Sequence, residues 1–201
     1  MQKILKKGMK DILSNLPDKT DYKNTTSRKF KSDLIDFFKD KNLDVCLEIG
    51  TNHGHTTHIL SYLFNHVYTI DLHQSNIDIA KEVTKERSNI TYITGDAYNR
   101  VNYKDVPTID AAFIDCMHTY EGVLFDIQTA LNKCSSNGMY LIFDDYAHPT
   151  STGVYDAIEE AIIQGLVREE YIGQEAGFTF SVQTNPTTLL RNEGIILSYG
   201  K

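Results

Sequence analysis

Three aspartates and one histidine follow two apolar segments at positions where they could share a metal ion. Asp115 follows IDAAFI, with His118 three residues later, and Asp144 and Asp145 follow MYLIF. If these segments are neighbouring parallel strands, their ends lie roughly 5 Å apart. Three carboxylates at that spacing repel one another unless a cation offsets them, and Mg²⁺ prefers carboxylate oxygens. The alternative is that one or two of these aspartates cap helices or bind turn amides.

A glycine-containing segment follows an earlier apolar segment, DVCLEI. It has the form E-x-G-x-x-x-G and runs from Glu48 through Gly50 to Gly54. Glycine lets the backbone turn tightly and approach a ligand closely. The spacing is not the G-x-G-x-x-G dinucleotide fingerprint, and the absence of a following G-K-[ST] excludes a Walker-type phosphate loop. The segment is therefore either a ligand-binding loop or a plain turn between a strand and a helix.

Two further acidic residues end apolar segments. Asp71 ends HVYTID, 23 residues after Glu48, where a carboxylate can accept hydrogen bonds from ribose hydroxyls. Its other interpretation is a helix cap. Asp96 and Ala97 follow ITYITG, where the Asp96 carboxylate could face an adenine amino group or could close a turn.

The elements that position these residues alternate along the chain. From residue 43 onward, apolar strands alternate with helical segments, which predicts βαβ units and a parallel sheet covered on both faces. VREEYIG and GFTFSVQ follow without a helix between them and predict an antiparallel edge. We therefore expect a doubly wound, Rossmann-like α/β domain with a mostly parallel seven-stranded sheet. Ligands of such sheets bind beyond the carboxyl ends of the strands.

The N-terminal region differs from this domain. The sequence predicts helices over residues 2–16 and 28–39 with a polar linker over 17–27, and we divide the chain into a helical arm (1–41) and a domain (42–201). The arm holds 11 Lys/Arg against 6 Asp/Glu, and the remainder holds 9 against 21. An acidic body argues against a nucleic-acid surface and suits a cationic ligand or a metal ion.

The composition of the chain argues against several classes of protein. The chain has 201 residues, a net charge of −7 and three cysteines without metal-ligand spacing, which argues against a disulfide scaffold or structural zinc site. It has no apolar run long enough to span a membrane and no signal peptide. We expect a cytoplasmic protein that does not bind membranes.

Taken together, these motifs resemble the class I S-adenosylmethionine-dependent methyltransferases. The resemblance covers about residues 43–182, and its most specific parts are D-x-x-H at Asp115 and D-D at Asp144. Those parts are most similar to the metal-dependent sugar O-methyltransferases of the macrocin and mycinamicin type. Catechol-type relatives have Asp-Asn where this chain has Asp144-Asp145, which favours a sugar-type site.

The resemblance implies a role for each site residue. Residues lining the methionine part of the cofactor would be Glu48, Gly50, Thr51 and Gly54. Asp71 would bind the ribose, and Asp96 and Ala97 would flank the adenine. The Mg²⁺ ligands would be Asp115, Asp144 and Asp145, with Asp115 also bordering the cofactor and assisting catalysis. His118 would be the general base.

The expected reaction is methyl transfer from S-adenosylmethionine to a hydroxyl of a sugar, a glycan or another small polyhydroxylated molecule. A sugar hydroxyl is a weak acid, so a metal ion and a histidine with a near-neutral pKa would both assist its deprotonation. Three alternatives stay open: a metal-independent methyltransferase, a nicotinamide-dependent oxidoreductase and a non-catalytic cofactor-binding module. The helical arm could contact the acceptor or form a homodimer.

Overall fold

The computed structural model describes Leu13 and residues 25–146, 148, 150–175 and 192–201. The predicted helix over residues 2–16 lies outside this part apart from Leu13, as does most of the predicted linker. The described elements are, in order, α1 (Arg28–Phe38), β1 (Val45–Ile49), α2 (His55–Leu63), β2 (His66–Asp71), α3 (Gln74–Val83), β3 (Ile90–Thr94), a 3₁₀ turn (Arg100–Tyr103), β4 (Ala111–Ile114), α4 (Tyr120–Leu131), β5 (Met139–Phe143), α5 (Thr152–Ile163), β6 (Val167–Glu175) and β7 (Asn192–Tyr199). None of the described helices is long and apolar enough to cross a membrane.

The seven strands form one sheet in the order β3-β2-β1-β4-β5-β7-β6. The strands β1 to β5 are parallel, and β7 is antiparallel to both of its neighbours. Ile49 pairs with Ile114, and Ile114 pairs with Phe143, so β1, β4 and β5 end at the same level. The expected doubly wound, mostly parallel sheet with an antiparallel edge is therefore confirmed, and β4 and β5 are neighbours as predicted.

Apolar side chains cover both faces of the central strands. Leu47 and Phe143 belong to the core beneath α4 and α5, whereas Phe113 and Ile142 belong to the core beneath α1 and α2. All four side chains are essentially inaccessible to solvent. This burial on both faces explains why these strands are continuous apolar runs in the sequence.

The helix α1 packs into the second of these cores. Its N-cap is Ser27, whose hydroxyl accepts a hydrogen bond from the backbone N–H of Phe30 at 3.0 Å. Phe30, Leu34 and Phe38 are buried, and the Phe30 ring lies edge-on to Phe113 with centroids 5.9 Å apart. The division of the chain at residues 41 and 42 stays a prediction.

The strand β7 is an element that the sequence patterns did not assign. The predicted last strand, GFTFSVQ over residues 177–183, lies outside the described residues. The strand paired with both β5 and β6 is instead Asn192–Tyr199. Its first three residues, Asn192, Glu193 and Gly194, are of types that are rare in strands. The apolar part that follows is short, so the sequence alone does not show whether it forms a strand or a buried turn.

Candidate active site at the carboxyl ends of the strands

The glycine-containing loop after β1 lies directly against the end of β4. Gly50 has a positive φ of 101°, and a side chain there would collide with the backbone carbonyl of Asp115. Gly54 has a φ of 79°, and a Cβ there would lie 2.7 Å from the Cβ of Ala80 in α3. Both positions therefore require glycine, the first for close approach of two loops and the second for helix packing.

Glu48 is fully buried at the end of β1 and bonds to protein hydroxyls. Its Oε2 accepts hydrogen bonds from the Oγ1 atoms of Thr57 at 2.5 Å and Thr69 at 2.6 Å. Thr69 Oγ1 also lies 2.5 Å from Thr51 Oγ1. The Glu48 Oε1 atom has no hydrogen-bond partner among the described residues, and burial raises the pKa of this carboxyl to about 8. The carboxyl is therefore largely protonated at neutral pH and joins β1, β2 and α2.

Asp71 fixes the glycine-containing loop from the end of β2. Its Oδ2 accepts the backbone N–H of Asn52 at 2.8 Å, at a residue with a positive φ of 46°. Its Oδ1 accepts the N–H of His73 at 2.9 Å and the side-chain amide of Asn76 at 3.1 Å. The carboxylate thus serves both the loop after β1 and the start of α3, and its predicted contact with ribose stays a prediction.

Asp96 and Ala97 lie in the turn after β3 and bond within that turn. The Asp96 Oδ1 accepts the backbone N–H of Tyr98 at 2.9 Å. Ala97 is buried, and its carbonyl accepts the hydroxyl of Tyr103 at 2.9 Å. The turn is therefore held in one conformation by its own residues, with the Asp96 side chain exposed to solvent.

The ends of β4 and β5 bring Asp115, His118 and Asp145 together. His118 Nε2 lies 3.1 Å from Asp145 Oδ2 and 3.5 Å from Asp115 Oδ1. One ligand atom from each of the three residues fits within a 4.8 Å span. The hydrogen bond to Asp115 and the charges of both carboxylates raise the pKa of His118. The Asp145 backbone has a positive φ of 58°, a conformation that costs energy in a non-glycine residue.

Asp144 lies beside this triad and carries a carboxylate oxygen without a partner. Its Oδ1 is buried and accepts no hydrogen bond from the described residues. Burial and the neighbouring carboxylates Asp115 and Asp145 raise its pKa well above the usual value. Burying a carboxyl oxygen without a donor is costly. An orphaned oxygen next to two further carboxylates is a donor set that fits a divalent cation.

One residue at this end of the sheet was not predicted from the sequence. Lys31 is on α1 and only 4% exposed. It follows Phe30 and precedes Ile35 and Phe38 by four and seven residues, so it occupies a position in the buried stripe of the helix. A lysine at a helix position that is otherwise apolar is the feature of the sequence that could have identified this residue.

A comparison with known protein families finds a match to the central part of the chain. Residues 47–146 match a family described as a methyltransferase domain. This segment contains β2 to β5, most of β1 and every site residue discussed above except Lys31. The central part of the chain is therefore similar to a methyltransferase domain. No curated protein matches the chain.

Solved methyltransferase structures share the fold. The O-methyltransferase from Bacillus cereus, in complex with SAH, is 18% identical with a TM-score of 0.61 over 96% of this chain and 90% of that chain. TomG, an O-methyltransferase from Streptomyces achromogenes in complex with SAM, is 17% identical with a TM-score of 0.63 over 98% and 87%. The N-methyltransferase NodS from Bradyrhizobium japonicum, in complex with SAH, is 15% identical with a TM-score of 0.64 over 96% of both chains. At these identities the likeness shows a common fold and leaves the methylated atom open.

Proposed function

We propose that this protein is an S-adenosylmethionine-dependent O-methyltransferase that uses a divalent cation, Mg²⁺, to methylate a hydroxyl of a sugar or another small polyhydroxylated molecule. The observation that carries the proposal is the group of Asp115, His118 and Asp145 beside the glycine-containing loop, with the unpartnered Oδ1 of Asp144 in the adjacent position of the chain. Two of the similar structures are O-methyltransferases, and both hold SAM or its product SAH.

The residues proposed to hold the cation are Asp115, Asp144 and Asp145. They follow neighbouring strands. The Oδ1 atom of Asp144 is buried and has no hydrogen-bond partner among the described residues. A divalent cation, when bound, supplies Lewis-acid stabilisation of a hydroxyl that is losing its proton. Burial and, after it, the neighbouring carboxylates raise the pKa of the Asp144 and Asp145 carboxyls, and the cation would offset both effects.

His118 is the proposed general base. Its Nε2 faces Asp145 at 3.1 Å and Asp115 at 3.5 Å. Both carboxylates stabilise the positive charge that the imidazole acquires when it takes a proton from the acceptor hydroxyl. The raised pKa of His118 makes it a stronger base.

The proposed cofactor residues surround the same end of the sheet. Asp71 would bind the ribose, while Asp96 and Ala97 would flank the adenine. The methionine part would lie along the loop that contains Gly50, Thr51 and Gly54, with Glu48 behind it. S-Adenosylmethionine, when bound, supplies an electrophilic methyl group on a sulfonium cation. The acidic surroundings favour a cationic ligand, and fixing donor and acceptor in line supplies much of the acceleration.

A metal-independent methyltransferase is the second candidate. His118 already contacts Asp145 directly, and such a pair can orient the imidazole and stabilise its charge without a cation. Removing divalent ions distinguishes the two candidates. We expect excess EDTA to abolish turnover and added Mg²⁺ to restore it, whereas full activity in EDTA would support the metal-independent reaction.

Calorimetry with SAH and with NAD tests the cofactor class. We expect heat of binding from SAH and none from NAD, and the reverse result would favour a nicotinamide-dependent oxidoreductase. Nucleotide sugars and glycans can then be screened by mass spectrometry for the gain of one methyl group. No gain with any hydroxyl compound, but a gain with amines, would overturn O-methylation.

A pair of matched variants tests the acidic site. Asp144→Asn and Asp145→Asn should each abolish Mn²⁺ binding, measured by electron paramagnetic resonance, and turnover while leaving SAH affinity within about threefold. Asp105→Asn, at an exposed carboxylate outside the site, should leave all three properties unchanged. Unaltered Mn²⁺ binding in both site variants would remove these residues from the metal site. A homodimer and a cytoplasmic location stay predictions.

A further inference from the structure

Lys31 places a buried ammonium group next to the proposed site, with no acidic ion-pair partner among the described residues. Its Nζ donates hydrogen bonds to the carbonyl of Thr26 and to the hydroxyl of Thr25, the latter at 3.2 Å. An ammonium has three N–H donors, so the third has no partner within the described part of the chain. No carboxylate of those residues lies within 4.0 Å of the Nζ atom.

An unpaired buried charge is costly, which makes this arrangement informative. Burial lowers the pKa of Lys31 to about 8, and the charges of Glu193 and Asp144 partly offset that effect from a distance. Glu193 itself is bonded to the backbone N–H of Ser27 at 2.6 Å and to the Ser27 hydroxyl. A carboxylate that reached the open donor of Lys31 would supply the missing ion pair.

The surrounding contacts locate Lys31 between two parts of the proposed site. Thr26, which accepts from the Lys31 ammonium, also bonds through its hydroxyl to Thr56 Oγ1 at 3.0 Å, in the first turn of α2. Burial is the main cause that lowers the pKa of His55, the first residue of that helix, and the charge of Lys31 is the second cause. On the other side, the charge of Asp115 acts on Lys31. The ammonium thus lies within electrostatic reach of both the α2 N-terminus and the end of β4.

The start of α2 adds a second feature that suits an anion. Its N-cap is Gly54, which has no side chain to accept hydrogen bonds from the first-turn N–H groups. Helix N-termini attract anions through these groups and the helix dipole. In contrast, the carboxylate of Asp71 contacts the loop after β1, and the loop lies against the backbone of Asp115.

We propose that Lys31 binds the α-carboxylate at the amino-acid end of S-adenosylmethionine. The inference rests on the proposed function, because it assigns a partner to one group of the proposed cofactor. The sulfonium and the α-ammonium of that cofactor suit acidic surroundings, whereas its carboxylate needs a cation. Lys31 supplies this cation beside the α2 N-terminus.

The test compares two ligands that differ by that carboxylate. SAH carries it, and S-adenosyl-3-thiopropylamine, which is decarboxylated SAH, lacks it while keeping the α-ammonium. Calorimetry on the unaltered protein should show SAH binding at least about tenfold more tightly, since a charge-assisted hydrogen bond contributes that much. Equal affinities would overturn the proposal without any substitution being made.

Variants then identify the cation. Lys31→Met keeps the length of the side chain and removes its charge, and we expect SAH affinity to fall about tenfold while the affinity for the decarboxylated ligand changes less than about twofold. Lys31→Arg should recover most of the SAH affinity. Lys29→Met is the matched control, because Lys29 is an exposed lysine of the same helix that pairs with Asp33. It should bind both ligands as the unaltered protein does.

The outcomes separate this inference from the proposed function. Suppose that the unaltered protein binds SAH, and that Lys31→Met weakens the binding of both ligands equally or of neither. Lys31 then does not bind the carboxylate, and the proposed methyltransferase function is unaffected. If the unaltered protein binds neither ligand, the proposed function itself fails. Thermal melting of each variant shows whether it is folded. If Lys31→Met does not fold, the affinities of Lys31→Arg and of the unaltered protein for the two ligands test the proposal instead.

Discussion

Replacing Glu48 with glutamine should remove one component of the pH dependence of stability. The carboxyl is fully buried between the hydroxyls of Thr57 and Thr69, and burial raises its pKa from 4.5 to about 8. In the unfolded chain the group loses its proton near pH 4.5, whereas in the folded protein it keeps the proton up to about pH 8. The unfolded state therefore binds fewer protons between these values, and stability falls as pH rises through this window.

The size of the effect follows from the shift. At about 1.4 kcal/mol per pKa unit, moving from 4.5 to about 8 corresponds to a loss of about 5 kcal/mol by pH 8, as an upper limit. Glutamine is neutral throughout and resembles the protonated acid in shape. The Glu48→Gln variant should therefore match the unaltered protein within about 1 kcal/mol at pH 5 and exceed its stability by several kcal/mol at pH 8.

Urea unfolding followed by circular dichroism at pH 5, 6, 7, 8 and 9, without cofactor, measures this difference. Other buried groups titrate in both proteins, so the difference between the two isolates Glu48. Glu86→Gln is the control, because Glu86 is exposed, and it should show a constant difference near zero. A difference for Glu48→Gln that does not change with pH would refute the reasoning.

Two further predictions concern the backbone and the histidine. Gly50→Ala should destabilise the domain by more than about 3 kcal/mol in urea unfolding and abolish SAH binding, because a Cβ there meets the β4 backbone at a positive φ. Gly165→Ala, at a φ of 115° with open space around it, should cost only about 1–2 kcal/mol and leave SAH affinity unchanged, and equal losses in both variants would contradict the role of close approach. His118 should titrate above 6.5 by NMR in the metal-free protein, and Asp145→Asn should lower that pKa, whereas an unmoved value would show that the carboxylate does not act on the imidazole.

The sheet and the acidic strand ends were predictable because they depend on local patterns. Apolar runs such as AAFI and MYLIF indicate strands buried on both faces, and a parallel order places Asp115 and Asp145 side by side. The structure adds that His118 lies within 3.5 Å of both carboxylates, a distance that depends on loop conformation rather than on spacing. Sequence reasoning indicated only that the three share one end of the sheet.

Other parts depend on contacts between distant residues and were therefore missed or left open. Lys31 gains its significance from β7 and the strand ends, none of which is near it in the sequence. Asp71 was assigned either to ribose or to a helix cap, and the structure shows its carboxylate bonded to Asn52 and to the start of α3. The first three residues of β7 have weak strand character by themselves, and the strand is stabilised by pairing on both sides.

The position of β7 between β5 and β6 has a consequence for the order in which the chain can fold on the ribosome. β6 is synthesised before β7, and among the described strands β7 is its one partner, so within that sheet β6 has no place until residues 192–199 have emerged. The parallel half, β1 to β5, needs no later strand and can assemble during translation. During the interval β5 exposes an unpaired apolar edge, which is the stage at which a nascent chain is most exposed to aggregation and to chaperone binding.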